Sequence, residues 1–218
     1  MSFNRVKDTT AAANVTLVAV SKTKPVSAIS DLYRKGQRHF GENRVQEMVE
    51  KYRELPKDVY WHQIGRLQTN KVKYIAPFVH LIHSVDSEKL ALSIIKEGKN
   101  LDRCIDILIQ VKVALEDTKQ GINISNVYDT VQKIASLNSP YIRIRGLMAM
   151  ASFVSDMEII SQEFTSAKII FHKIKKSNNK GLEAFDTLSM GMSSDYKLAI
   201  ECGSNMVRVG SLVFGKRK

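Results

Sequence analysis

A chain of 218 residues, 44% hydrophobic and 25% charged, has ordinary globular composition, which excludes a disordered polymer and leaves enough apolar material for a sizeable core. No apolar run approaches the roughly 20 residues of a membrane span, and the polar start MSFNRVKDTT lacks the apolar centre of a secretory signal, so a cytoplasmic protein is expected. The net charge of +11 raises nucleic-acid binding, but the basic residues are dispersed, with short clusters only at Lys173, Lys175 and Lys176 and at the tail Lys216, Arg217 and Lys218. A solvated basic surface accounts for them, and no specific nucleic-acid partner is expected.

The first β-rich run, 16–21, leads straight into SKTKP. Strand alternation gives Val18, Val20 and Lys22 one parity and Ala19, Ser21 and Thr23 the other. Lys24 shares the nominal parity of Lys22 but lies beyond the strand, beside Pro25, and is read as a solvated loop residue. Further strand-like runs follow at 38–40, 60–64, 79–84, 105–113, 142–148, 187–190 and 206–209. Amphipathic stretches separate them. Val127, Val131, Ile134 and Ala135 form one helical face, as do Met157, Ile160, Phe164, Ala167, Phe171 and Ile174.

Strands alternating with helices imply parallel pairing through crossovers, and eight such units predict an α/β protein closed into a (β/α)8 TIM barrel. No Pro-, Gly- or Ser-rich linker divides the chain, so 1–218 is expected to be one domain. A closed barrel has no edge strand demanding a partner, and a monomer is expected. Cys104 and Cys202 lack CxxC or Cys/His spacing, so neither a disulfide framework nor a metal site is expected.

Barrels of this kind carry their sites at the carboxyl ends of the strands. There the chain places Ser21 and Lys22, then Gly41-Glu42-Asn43, His62, Met148, Gly191-Met192-Ser193 and Gly210-Ser211. A lysine facing the barrel mouth, partly removed from water and near other cations, is a usable amine nucleophile of the Schiff-base type. LSMGMSSD at 188–195 and VRVGS at 207–211 are Gly/Ser turns after the last two strands, where barrels often hold a phosphate on backbone N–H groups. Ordinary turns, with Ser193 or Asp195 capping the next helix, have the same signature. Arg208, between Val207 and Val209, points either outward to solvent or inward to a partner; the strand pattern by itself favours outward.

The blocks AVSKTKP at 19–25, FGEN with VQE at 40–47, WHQIGRLQTNK at 61–71, RGLMAM at 145–150, LSMGMSSD at 188–195 and GSNMVRVGSLVFGKR at 203–217 resemble, in this order, the pyridoxal-phosphate homeostasis proteins. The resemblance implies a barrel related to that of alanine racemase but without its second β-rich domain, binding pyridoxal 5′-phosphate (PLP) as a covalent internal aldimine on Lys22. It implies phosphate contacts around Met192, Ser193, Gly210 and Ser211 and sets Arg208 near the pyridine nitrogen. Asn43, His62 and Met148 fall at strand ends that line the cofactor pocket. The function it implies is holding and delivering PLP, with PLP-dependent apo-enzymes as recipients, and so maintaining vitamin B6 and amino-acid and keto-acid balance. No residue is assigned a catalytic role, because an arginine at the ring nitrogen restrains carbanion chemistry and a second base is not evident. The alternative is a small PLP-dependent amino-acid racemase or lyase of the same fold. Arg66 departs from the family, which commonly has proline in the block IGRLQTNK.

Overall fold

The computed structural model describes residues 3–114, 120–177 and 179–215. Its strands, all paired in parallel, are β1 (Thr16–Val20), β2 (His39–Glu42), β3 (Tyr60–Gln63), β4 (Leu81–Val85), β5 (Ile105–Lys112), β6 (Ile122–Asn123), β7 (Ile142–Ala149), β8 (Thr187–Ser189) and β9 (Met206–Val209). Pairing runs β4-β3-β2-β1-β9-β8-β7-β5, and the additional β4–β5 contact closes the ring. The (β/α)8 barrel is therefore the fold. The two-residue β6 is an adjunct on β5, pairing at Val111 and Lys112, and is too short to leave an alternation signal in the sequence.

Between the strands lie α1 (Phe3–Ala12), α2 (Val26–Arg34), α3 (Val45–Glu54), α4 (Val72–Ile75), α5 (Glu88–Asn100), α6 (Ile124–Ser136), α7 (Met157–Lys176), α8 (Tyr196–Glu201) and α9 (Ser211–Phe214). The long α7 starts where Asp156 Oδ1 accepts the N–H groups of Glu158 and Ile159, relieving two of the donors that a helix start leaves orphaned. It buries Ile160, Phe164, Ala167, Phe171 and Ile174 against the barrel, each large side chain stabilising by about 1.5–3 kcal/mol. Met157, expected on the same face, is 52% exposed, being the first helical residue. Lys173, Lys175 and Lys176 fall in the last turn of α7, where cations oppose the helix dipole. The tail 216–218 lies outside the described residues.

Apolar side chains divide by strand parity. Leu17 and Ala19 join the large cluster between strands and helices, whereas Val18 belongs to a small interior cluster with Leu81, Leu108, Met148 and Met206. Much of the remaining barrel interior is polar, with His62, His83, Ser189 and Arg208 all buried. No described helix is long and apolar enough to cross a membrane.

Candidate functional site

β1 ends at Val20, but the Ser21 N–H still donates to Gly41 O at 3.0 Å, so the ladder carries the strand's parity one residue further. With Val18 inside the barrel, Val20 and Lys22 both line a cavity of about 670 Å³ at the carboxyl ends of the strands. The chain then turns sharply. Lys24 N–H donates to Ser21 O at 3.0 Å, and Thr23 is held at φ 65°, a region unfavourable to a β-branched residue.

A buried ionic network fixes that turn. Lys51, on α3, donates to Ser21 O at 2.8 Å, to Glu42 Oε1 at 2.7 Å and to Glu47 Oε1 at 2.6 Å. Glu42 Oε1 also accepts from Ser21 Oγ, and Glu47 Oε1 accepts the Thr23 N–H at 2.6 Å. Both neighbours of Lys22 are thus clamped. Burial raises the Glu42 carboxyl above the ordinary range, while the Lys51 ammonium and the Ser21 hydroxyl oppose the shift. Glu42 and Glu47 stand inside the FGEN and VQE blocks and Lys51 four residues beyond them, yet their role was not legible there; an acid at a strand end and a Glu47/Lys51 i,i+4 pair were the available signals.

Lys24 is not a plain solvated residue. Its Nζ donates to Phe214 O at 3.2 Å and Gly215 O at 3.4 Å, tying the turn after β1 to the end of α9, and its side chain also lines the cavity. The C-terminal segment supplies carbonyl acceptors that strand alternation alone could not reveal.

Arg208 points inward, contrary to the expectation from its valine neighbours. It is 4% exposed, and its partners come from two other strands: Nη1 donates to Ser189 O at 2.9 Å and Ser189 Oγ at 2.6 Å, and Nη2 to Ala149 O at 2.9 Å. Those acceptors satisfy a charge that an isolated strand could not bury. Burial lowers its pKa to about 10, with Asp195 opposing, so the guanidinium keeps its charge at neutral pH.

The two Gly/Ser turns meet. Gly191 adopts φ 93°, and a Cβ there would lie 2.6 Å from the Ala199 side chain, so only glycine lets the turn pack on α8. Ser193 Oγ accepts the Gly210 N–H at 3.2 Å, and Asp195 accepts the Met192 N–H at 2.5 Å instead of capping α8. The Met192 and Gly210 N–H groups therefore shape the turns, leaving Ser193, Ser194 and Ser211 as the hydroxyl-bearing lining.

Of the expected site residues, Lys22, Asn43, Met192, Ser193, Arg208, Gly210 and Ser211 all line the one cavity. His62 and Met148 do not. Met148 fills the apolar interior, and its neighbour Met150 reaches the cavity; His62 sits deeper, in a chain of imidazoles. Lining residues that the sequence reading missed include Ile64, Gly65, Gln110 and Phe153, the last 88% exposed at the rim. Arg66, the departure from the family pattern, is also on the rim. Among the described lining residues, four are basic (Lys22, Lys24, Arg66, Arg208) and none is Asp, Glu, His, Tyr or Cys.

A closed parallel (β/α)8 barrel of this form is the fold of the alanine racemase N-terminal domain. The family model "Alanine racemase, N-terminal domain" matches residues 3–218. The chain is 39% identical over 206 residues to the pyridoxal phosphate homeostasis protein of Pasteurella multocida, covering 93% of this chain and 87% of that one. PipY of Synechococcus elongatus PCC7942, solved without PLP, superposes with a TM-score of 0.88 at 34% identity, covering 97% of this chain and 99% of that one. The PLP-bound PipY structure gives a TM-score of 0.85 at 33% identity over the same shares. Alanine racemase of Clostridium difficile 630 shares the fold, with a TM-score of 0.75 at 15% identity, over 100% of this chain and 58% of that one. The chain belongs to the pyridoxal phosphate homeostasis protein family.

Proposed function

We propose that this chain is a single-barrel cytoplasmic protein that binds PLP in the carboxyl-end cavity and holds it for delivery to PLP-dependent apo-enzymes, acting as a monomer. The observation that carries the reading is one cavity with an amine, a buried guanidinium and two Gly/Ser turns on its wall, and no acidic side chain among its described lining residues. That donor set suits PLP. An aldehyde needs an amine, a dianionic phosphate needs N–H and hydroxyl donors in a positive field, and a pyridine nitrogen needs a donor that does not give up its proton.

Lys22 Nζ is the point of covalent attachment, and the clamp by Glu42, Glu47 and Lys51 orients it toward the cavity. Ser193, Ser211 and the surrounding turn backbone take the phosphate, with Gly210 and Met192 holding the turn shape. Arg208, fixed by Ser189 and Ala149, would meet the ring nitrogen and keep a proton off it, and Asn43 would line the pocket. Bound PLP supplies an electrophilic carbon and an electron-accepting ring. Proton transfer at an amino-acid Cα from both faces needs two bases, and besides its lysines the described cavity wall offers none, which favours holding over turnover.

Purified protein loaded with PLP should show visible absorbance that borohydride removes, with the label mapped to the peptide containing Lys22 and absent in Lys22→Ala. A protein that stays colourless after incubation with PLP overturns the reading. Deuterium wash-in at the Cα of D- or L-alanine, abolished in Lys22→Ala, would instead establish the racemase alternative.

A further inference from the structure

Four of the five histidines of this chain, His39, His62, His80 and His83, are gathered in the barrel. His39 opens β2, His62 is the third residue of β3, and His80 immediately precedes β4, so three successive strands deliver imidazoles to the amino-terminal mouth. The donor atoms of His39, His62 and His80 all lie within 4.8 Å of one another. His39 Nδ1 faces His62 Nε2 at 2.9 Å. The proposed function makes no use of this cluster, which lies at the end of the barrel opposite the cavity.

We propose that His39, His62 and His80 form a binding site for a borderline divalent transition-metal ion, zinc being the type. Three imidazoles from a rigid sheet, with a fourth position open to water, are a donor set that suits Zn²⁺, Co²⁺ or Ni²⁺. The absence of a carboxylate from the set disfavours Ca²⁺ and Mg²⁺, which take oxygen ligands. Two nitrogens 2.9 Å apart need to separate by only a few tenths of an ångström to share a metal with bonds of about 2.0–2.1 Å. His39 and His80 are only partly buried, which gives access from solvent, and Tyr60, 45% exposed, packs on both rings at 4.7 and 4.6 Å.

The support behind the cluster is of the kind metal-ligating histidines use. His62 Nδ1 lies 2.8 Å from His83 Nε2, and His83 Nδ1 lies 3.3 Å from Ser189 Oγ. With Nε2 of His62 on the metal, Nδ1–H donates to His83, and His83 Nδ1–H donates to Ser189, which fixes the tautomer of each ring. Of the nearby charges, Asp106 and Asp186 offset Arg143 and Arg145 in one ion-pair network, which leaves Arg103, bound to the carbonyls of Ala76 and Val79, as the further cation acting on His80. Metal binding also sets the polarity of this hydrogen-bond chain, which ends at Ser189 Oγ, itself an acceptor from Arg208.

The test is calorimetric titration of the full chain, free of any histidine tag and without added PLP, with ZnCl₂, and a parallel Co²⁺ titration followed by visible absorption. One equivalent is expected, with cobalt d–d bands of a four- or five-coordinate nitrogen site. His39→Ala and His80→Ala should each weaken binding by well over about tenfold, and His83→Gln by about 10–100-fold. His172→Ala, on the exposed face of α7, and Cys104→Ser should leave it unchanged. Circular dichroism checks that each variant is folded; His39→Gln and His80→Gln replace either alanine variant that is not. Absence of saturable binding, binding undiminished in both folded ligand variants, or binding lost in Cys104→Ser would each overturn the proposal.

Discussion

At the carboxyl mouth of the barrel, Lys22, Lys24, Arg66 and Arg208 line a cavity with no acidic side chain among the described wall residues. At the amino mouth, Asp106 accepts Arg143 and Arg145 together, Asp186 takes a second hydrogen bond from Arg145, and the imidazoles hydrogen-bond to one another. Both ends use strand-end residues, but one sets its basic side chains around an open cavity and the other ties most of its charge into ion pairs. An anion is thereby favoured at the carboxyl mouth, because low-dielectric walls lined by a single sign of charge focus the field. The amino mouth offers lone pairs instead. The same closed sheet thus presents two chemistries, separated by the interior layer of Val18, Leu81, Leu108 and Met148.

The strongest way to break the carboxyl end without touching its cavity wall is Lys51→Met. The substitution leaves Glu42, fully buried, without its cation, and removal of one member of a buried pair costs about 3–5 kcal/mol. Urea unfolding should report a loss of that order, and the double variant Lys51→Met/Glu42→Gln should recover much of it. Because Ser21 and Thr23 lose their clamp, the rate of borohydride-trappable PLP loading at Lys22 should also fall. Unchanged stability and loading would show that the turn holds itself.

The place of Lys22 on the cavity wall could be read from the sequence because strand parity is local: Val18, Val20 and Lys22 keep one face, and the ladder bond from Ser21 to Gly41 continues it. The eight strands were legible for the same reason. Arg208 was not, since the acceptors that let it turn inward come from Ser189 and from Ala149, 59 positions away. His62 was placed at the pocket because it stands late in its strand, but β3 is only four residues long, and His62 lies beside Leu81, the first residue of β4. The histidine cluster had no spacing signature either. Positions 39, 62 and 80 are brought together by register between strands, not by any repeat within one.

The amino mouth should be the pH-sensitive half. Burial, aided by the neighbouring imidazoles, holds His39 at about 4 and His62 well below the ordinary value; burial likewise lowers His80 and His83. Each is neutral when folded and binds a proton more readily when unfolded. The stability this contributes is full above about pH 6.5 and is lost as pH falls toward about 4, with a limiting slope of about 1.4 kcal/mol per pH unit per histidine. Glu42, raised by burial, acts with the opposite sign, gaining stability as pH falls, but it is one group against four. Denaturation in chelator should therefore show stability dropping between pH 6.5 and 5, less steeply in His83→Gln. A flat profile would mean the imidazoles accept protons without unfolding.

The smallest expected effect belongs to Lys24, and it sharpens the contrast between the two lysines of SKTKP. Lys24→Met removes two hydrogen bonds to carbonyls at the end of α9, each partly replaceable by water, so the stability cost should stay near 1 kcal/mol. It also removes one of the four charges lining the cavity, which should weaken inorganic phosphate binding a few-fold at low salt and hardly at all at high salt, where screening shortens the field. Covalent loading at Lys22 should persist, because the clamp on its turn comes from Glu42, Glu47 and Lys51. If Lys24→Met instead abolished loading while leaving the fold intact, the tie to Phe214 and Gly215 would be what closes the cavity, and the C-terminal segment would count as part of the site.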